Sequence, residues 1–338
     1  MTVAVLGEGI VDLIQDNEGA YRPHLGGSPY NVATALARYE ETVFFLSPFS
    51  RDRFGDFLHS SLVDEGVRIP LRRRSDNPTS IALIFCDDNG EPSYSLYRNK
   101  VADKDISVGE IIAQIPANLT LFHTGSLAIT PSQLPKIVAL FKFLKQRSIV
   151  ISLDLNIRLG ATSDAGKYLG GVKSLLSYAD IVKASDEDLE PFNFSADPEQ
   201  AALVAYQQQG EGIFLLTQGA QDTVLISGSQ IIRQKPIQVS NVHDTIGAGD
   251  TFFAAFLARL RQGEWCHLSA IQNAINTIGE ETLLEALAYA NTAAAINISR
   301  PGCSPPTKEE IEQYHVPRIS TVESPRNGEG TLSENRLL

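Results

Sequence analysis

Short apolar runs alternate with polar, helically spaced segments along most of the chain. Val3-Ala-Val-Leu-Gly7 is an apolar run closed by glycine, as a buried first strand would be. Ile14 to Pro23 places a polar turn, Asp16-Asn-Glu-Gly19, between two short segments, which predicts a hairpin. Ser28 to Arg38 reads as a helix, because Asn31 and Ala35, then Val32 and Leu36, recur at i, i+4. Val43 to Leu46 predicts a strand, and Phe54 to Val63 a helix closed near Gly66. Thr79 to Tyr97 then changes character. An apolar run, Ser80 to Cys86, meets an Asp87-Asp-Asn-Gly90 turn, and Tyr94 and Leu96 alternate with Ser93 and Ser95. That is the chemistry of a second hairpin.

From there strands and helices alternate. Leu119 to His123, Ile149 to Leu153, Ile181 to Lys183 and Gly212 to Thr217 are short buried-strand patterns. Leu134 to Gln146, Asp164 to Ser177 and Pro198 to Gln209 are helical patterns between them. Thr223 to Ser227 and Ile231 to Val239 read as edge strands, Ala286 to Ile298 as a helix, and Arg300 to Pro306 as a loop. Such alternation implies an α/β fold whose parallel sheet is covered on both faces. The two hairpins do not fit inside a parallel sheet. They predict a small β lid over the strand C-terminal edge, where open α/β sheets take ligands. The large domain is expected at 1–13, 25–78 and 104–315, and the lid at 14–24 and 79–103. The polar, aperiodic tail 316–338 is expected to be disordered.

Composition narrows the class. A hydrophobic share of 43% with 20% charged residues suits a globular protein, and a net charge of −12 argues against nucleic acid or anionic membrane as main partner. Cys86, Cys266 and Cys303 lack metal-ligand spacing, so reduced thiols are expected. His24, His59, His123, His243, His267 and His315 show no paired spacing and read as ordinary core or surface histidines. With no signal stretch and no apolar run of ~18 residues, a cytoplasmic location is expected.

The candidate chemistry concentrates in Asp244-Thr-Ile-Gly-Ala-Gly-Asp-Thr-Phe252. Phe252, Phe253, Phe256, Leu257 and Leu260 follow at helical spacing, so Gly247, Ala248 and Gly249 fall at a helix N-terminus. Unpaired N–H groups and the positive dipole end bind anions there. Asp250 would repel a phosphate unless its task is to take a proton from an attacking hydroxyl. Capping by an N-terminal acid is the competing structural reading.

This string resembles a signature of the ribokinase-like (PfkB) carbohydrate kinases, a family that includes fructokinases, and Asp250 matches the family's base. Gly26-Gly-Ser-Pro-Tyr-Asn-Val-Ala-Thr-Ala-Leu-Ala37 resembles the second signature, with Asp154-Leu-Asn-Ile-Arg158 and Lys183-Ala-Ser-Asp-Glu-Asp-Leu189 between them. The likeness runs from about Val3 to about Thr307. It implies a three-layer α/β/α sandwich with a mainly parallel sheet and a β lid. It also implies transfer of the ATP γ-phosphoryl group, with Mg²⁺, to a primary hydroxyl of a small sugar. Asp12, Gly26, Gly27 and Asn31 would hold the sugar, with Arg98 and Arg158 as further contacts. Lys183, Thr217, Gly219, Gly247, Gly249 and Asn291 would hold ATP. Asp188 or Glu187 would reach Mg²⁺ through water, and the Asp244–Ile246 turn with the Arg300–Ser304 loop would hold a monovalent cation such as K⁺.

Two positions depart from the family pattern: Asp188 stands for a glutamate, and Asp222 replaces the last glycine of the nucleotide loop. Tyr97-Arg98 with Ala102-Asp103 leans toward fructose; a 2-keto-3-deoxy sugar acid is the runner-up. A catalytically silent sugar binder is the reading from another class. The chain lacks the Gly-x4-Gly-Lys-Ser/Thr string of P-loop kinases, and Gly7-Glu-Gly-Ile-Val-Asp12 lacks the third glycine and long helix of a dinucleotide site. An exposed lid edge would allow a homodimer.

Overall fold

The computed structural model describes residues 1–16, 18–86, 92–260 and 278–314. Its larger sheet has eight strands: β1 (Thr2–Val5), β4 (Thr42–Phe45), β7 (Leu121–Gly125), β8 (Val150–Asp154), β9 (Ile181–Ser185), β10 (Ile213–Thr217), β11 (Thr223–Ser227) and β12 (Gln230–Gln234). Their order is β12-β11-β10-β9-β8-β7-β1-β4. Neighbours from β4 through β10 are parallel, and β11 and β12 add an antiparallel edge.

Side chains on these strands alternate between two cores. Val3, Val5, Leu121, Val150, Ile181 and Leu215 face one; Ala4, Leu6, Phe122, Ile151, Val182 and Phe214 face the other. Helices α1 (Ser28–Arg38), α2 (Arg53–Asp64), α8 (Ala248–Leu260) and α9 (Glu280–Ile298) cover the first face. On the second lie α4 (Leu134–Gln146), α5 (Ala165–Leu176) and α7 (Pro198–Gln209). Both faces are apolar because both are covered, which explains the nearly continuous hydrophobic strands. The expected three-layer sandwich is therefore present.

Short helices α3 (Val108–Gln114), α6 (Asp186–Leu189) and α10 (Lys308–Gln313) complete the described set. The pattern reading missed α3, whose one local signal is the Ser107…Glu110 capping box at its start. β12 stops at Gln234, short of the expected Val239. Pro236 follows two residues later and cannot donate to a ladder.

A second sheet of four strands has the order β3-β2-β5-β6. It contains β2 (Ile10–Gln15), β3 (Tyr21–Gly26), β5 (Ser80–Cys86) and β6 (Pro92–Tyr97). Both hairpins expected from the sequence are antiparallel pairs here, and β2 joins them by running parallel to β5. The first pair reaches back to Ile10 and forward to Gly26, beyond the Ile14–Pro23 pattern. The Asp87–Gly90 turn, Cys266, His267, His315 and the 316–338 tail lie outside the described residues. Among the described residues no helix is long and apolar enough to cross a membrane.

One side chain fastens two strands and a helix. Asp180, just before β9, accepts from the Ile151 amide of β8 at 2.8 Å and from Lys145 of α4 at 2.7 Å. Asp180→Ala would leave that buried amide unpaired. Urea unfolding should show a loss of about 1–3 kcal/mol.

Candidate active site

Helix α1 starts at the edge where β1 ends. Its N-cap, Gly27, has φ 107°, and a Cβ there would lie 2.6 Å from the Glu8 carbonyl oxygen. Only glycine fits both the dihedral and the gap. Pro29 in the first turn supports the helix start. The turn then presents two side chains to one carboxylate. Ser28 Oγ donates to Asp250 Oδ1 at 2.6 Å, and Asn31 Nδ2 donates to Asp250 Oδ2 at 2.8 Å. Sequence reasoning assigned Asn31 to a sugar and gave Ser28 no ligand of its own. In this structure both orient Asp250, and Ser28 Oγ caps nothing. The only signal for Ser28 was its place inside the Gly26–Asn31 motif.

Asp250 lies in the first turn of α8, which begins after Gly247 at φ 70°. A Cβ on Gly247 would meet Cys303 Sγ at 2.2 Å. Of the amides expected to be open at this terminus, that of Ala248 already donates to the Thr245 carbonyl at 3.2 Å. Gly249 and Asp250 are left as first-turn amides without an intrahelical carbonyl to bond.

The two loops assigned to a monovalent cation do meet. Asp244 accepts from the Ile246 amide at 2.8 Å and the Gly302 amide at 3.1 Å. Asn297, which the sequence reading missed, bridges them by donating to the Ile246 carbonyl at 2.9 Å and accepting from the Ser304 amide at 2.9 Å.

Beneath α8, Lys183 Nζ contacts both oxygens of Asp154 at 3.0 Å and would sit 3.4 Å from a Cβ on Gly249. Burial opposes charge on both partners. It prevails at Asp154, whose carboxyl rises to about 7 despite Lys183. At Lys183 burial loses to the attraction of Asp154, Asp188 and Asp250, and the ammonium is held above its usual range. A permanent cation therefore lies at the base of the helix N-terminus. One rung lower on the same sheet face, His123 Nδ1 pairs with Ser152 Oγ at 2.9 Å. Burial, helped by Lys183, lowers its pKa to about 3. It is a neutral core histidine, as expected.

The Mg²⁺ candidates look different once placed. Asp188 Oδ1 accepts from the Ile157 amide at 2.6 Å, and Oδ2 closes a capping box with the Ser185 amide at 2.8 Å. Both oxygens of Asp188 thus serve the backbone, while Glu187 is exposed. Among the described residues no cluster of three or more His, Cys, Asp or Glu forms a cage for a metal. This donor set fits an ion brought in on substrate phosphates and touched by one carboxylate, the usual manner for Mg²⁺.

On the sugar side, Asp12 of β2 lies against Gly26, whose Cβ would come 2.9 Å from Oδ2. Burial raises Asp12 to about 6, with His24 across the ladder pulling the other way. Arg158 is exposed and spends one donor on the Ile157 carbonyl at 3.1 Å. Arg98 is instead buried, bonded to Asp103 at 2.7 Å and Ser80 at 2.8 Å. The structure places it in the joint between the sheets.

On the nucleotide side, Thr217 ends β10 and Gly219 forms an exposed turn at φ 57°. Asn291 of α9 donates to Gln234 at 3.3 Å. Asp222 lies within electrostatic reach of Arg233.

Comparison with known proteins agrees with this geometry. The model of the pfkB family of carbohydrate kinases matches residues 2–310. The chain belongs to that family and is a sugar kinase. It is 30% identical over 318 residues to a fructokinase of Vibrio alginolyticus, covering 92% of this chain and 98% of that protein. A fructokinase of Xylella fastidiosa, solved with bound ATP, superposes with a TM-score of 0.79 at 26% identity, covering 92% and 97% of the two chains. A fructokinase of Vibrio cholerae with fructose, ADP and calcium gives 0.76 at 26% identity, covering 89% and 94%.

Gly247→Ala tests the N-terminus of α8. It should cut kcat severely, and Cys303→Ala in the same chain should recover only part, since the strained φ remains. Steady-state rates of the single and double variants check this.

Proposed function

We propose that the protein phosphorylates the primary hydroxyl of fructose with ATP, giving fructose 6-phosphate. The observation that carries this is the Asp250 carboxylate, gripped by Ser28 and Asn31 at 2.6 and 2.8 Å at the start of α8. In this reading Asp250 takes the hydroxyl proton as the oxygen attacks the γ-phosphorus. The Gly249 and Asp250 amides and Lys183 hold the transferred group, so catalysis is positioning and electrostatics.

Asp12, Gly26, Gly27 and Asn31 hold the sugar, and Arg158 with its open guanidinium is the further contact. Arg98 supports them from the joint. Thr217, Gly219, Gly247 and Asn291 border the ATP. Mg²⁺ bound with ATP supplies charge neutralisation, with Glu187 the open carboxylate and Asp188 the alternative. The Asp244–Ile246 turn and Arg300–Ser304 loop hold K⁺. The four-stranded sheet acts as a lid that excludes water, and a second copy docks through it.

Fructose is favoured over a 2-keto-3-deoxy sugar acid by the Arg98–Asp103 pair, which puts the Tyr97-Arg98 and Ala102-Asp103 segments in contact. The relatives support the same choice. An ADP-release assay with Mg-ATP and K⁺ over fructose, glucose, ribose, 2-keto-3-deoxygluconate and adenosine tests it. Fructose should give the highest kcat/KM. Asp250→Asn should lose most turnover, on the order of 10²–10⁴-fold, with fructose binding kept. Silence across the panel with binding retained would favour a silent sugar binder.

A second outcome follows from Asp12. Its carboxylate form accepts hydrogen bonds from sugar hydroxyls, and its pKa lies at about 6. The KM for fructose should rise by about tenfold per pH unit below that value. Asp12→Asn should flatten this acid limb.

A further inference from the structure

The chain leaves β1 toward β4 on one side and only later reaches β7 on the other. Glu8 follows the end of β1 and Ser126 the end of β7, so both lie at this reversal of strand order. Glu8 is 1% exposed, and its Oε2 has no hydrogen-bond partner. Two strained backbones pack against it. Gly27, at φ 107°, would bring a Cβ to 3.1 Å from Glu8 Cγ. Ser126, at φ 51°, is buried beside the Glu8 carboxyl.

Behind Glu8 stands the joint of the two sheets. Arg98, just after β6, bonds Asp103 at 2.7 Å and Ser80 of β5 at 2.8 Å, and Ser80 Oγ donates to Asp103 at 2.6 Å. Lys104 Nζ closes the cluster on the Arg98 carbonyl at 2.9 Å. Asp103 already neutralises Arg98, so a charged Glu8 would carry an unpartnered oxygen in a buried site, a costly arrangement. A carboxylic acid there carries no such charge.

We propose that Glu8 is a positioning residue, uncharged when it works, that holds the glycine floor of the sugar site against the joint of the small sheet. This rests on the sugar-kinase reading of Gly27. The charged and titratable groups around it are Arg98, Asp103, Lys104 and Tyr168. Burial raises its pKa from 4.5 to about 7, with Arg98 opposing and Asp103 adding.

The test compares wild type, Glu8→Gln and Glu8→Ala, with fructose at pH 6 and 8. Glutamine keeps the shape without the charge. It should hold KM near the wild-type pH 6 value at both pH values, whereas wild-type KM rises above pH 7. Alanine should raise KM by about tenfold or more at pH 6 while kcat changes much less.

A second readout needs no turnover. Because the folded pKa lies above the unfolded one, wild type is favoured below about 4.5 and loses that stability as pH rises to about 7. Its Tm should therefore fall relative to Glu8→Gln between pH 5 and 7. If glutamine behaves like alanine in KM at both pH values, or if the Tm difference is constant from pH 5 to 7, the proposal is overturned. Absent fructose turnover with the Tm trend intact would overturn the fructose reading alone.

Discussion

The site depends on one contact between chain segments 222 residues apart, the hydrogen bond from Ser28 to Asp250. With Asn31 it brings the first turns of α1 and α8 onto a single carboxylate. Each turn is a helix N-terminus, so open amides and two positive dipole ends surround one small volume. The parallel sheet makes this convergence possible. Its strands end together, and the helices on one face start there, whatever their separation in sequence.

Charge around this volume is lower than the formula suggests. The chain carries a net charge of −12, yet its proposed cosubstrate is itself an anion. Burial resolves much of the conflict. It raises Glu8 and Asp154 to about 7 and Asp12 to about 6, while Lys183 keeps its proton under three carboxylates. Carboxyl groups that share protons near neutrality repel an incoming anion less than fully ionised ones.

The layers were legible because covered parallel strands are short and apolar and their helices have clear periods. Ser28–Arg38, Leu134–Gln146 and Pro198–Gln209 have the boundaries that their patterns suggested. The short α3 was not legible, since seven residues are too few for a period to show. Asp250 and its glycines stood out because a carboxylate in an anion-binding turn is an oddity. Ser28, Asn297 and Glu8 did not, because their meaning lies in partners distant along the chain. Arg98 shows the same limit from the other side: the resemblance set it beside the sugar, and nothing in the sequence showed its bonds to Asp103 and Ser80. Asp188 likewise has its two oxygens on backbone amides, which no spacing reveals.

The separation of Ser28 from Asp250 also orders events in time. A chain emerging from the ribosome completes the glycine floor, Asp12 and the small sheet long before α8 exists. Until the last third folds back onto α1, Ser28 and Asn31 lack the carboxylate they grip, and the two helix N-termini do not meet. On the proposed role of Asp250, unfinished or truncated chains are therefore silent by construction, and cannot waste nucleotide while they wait.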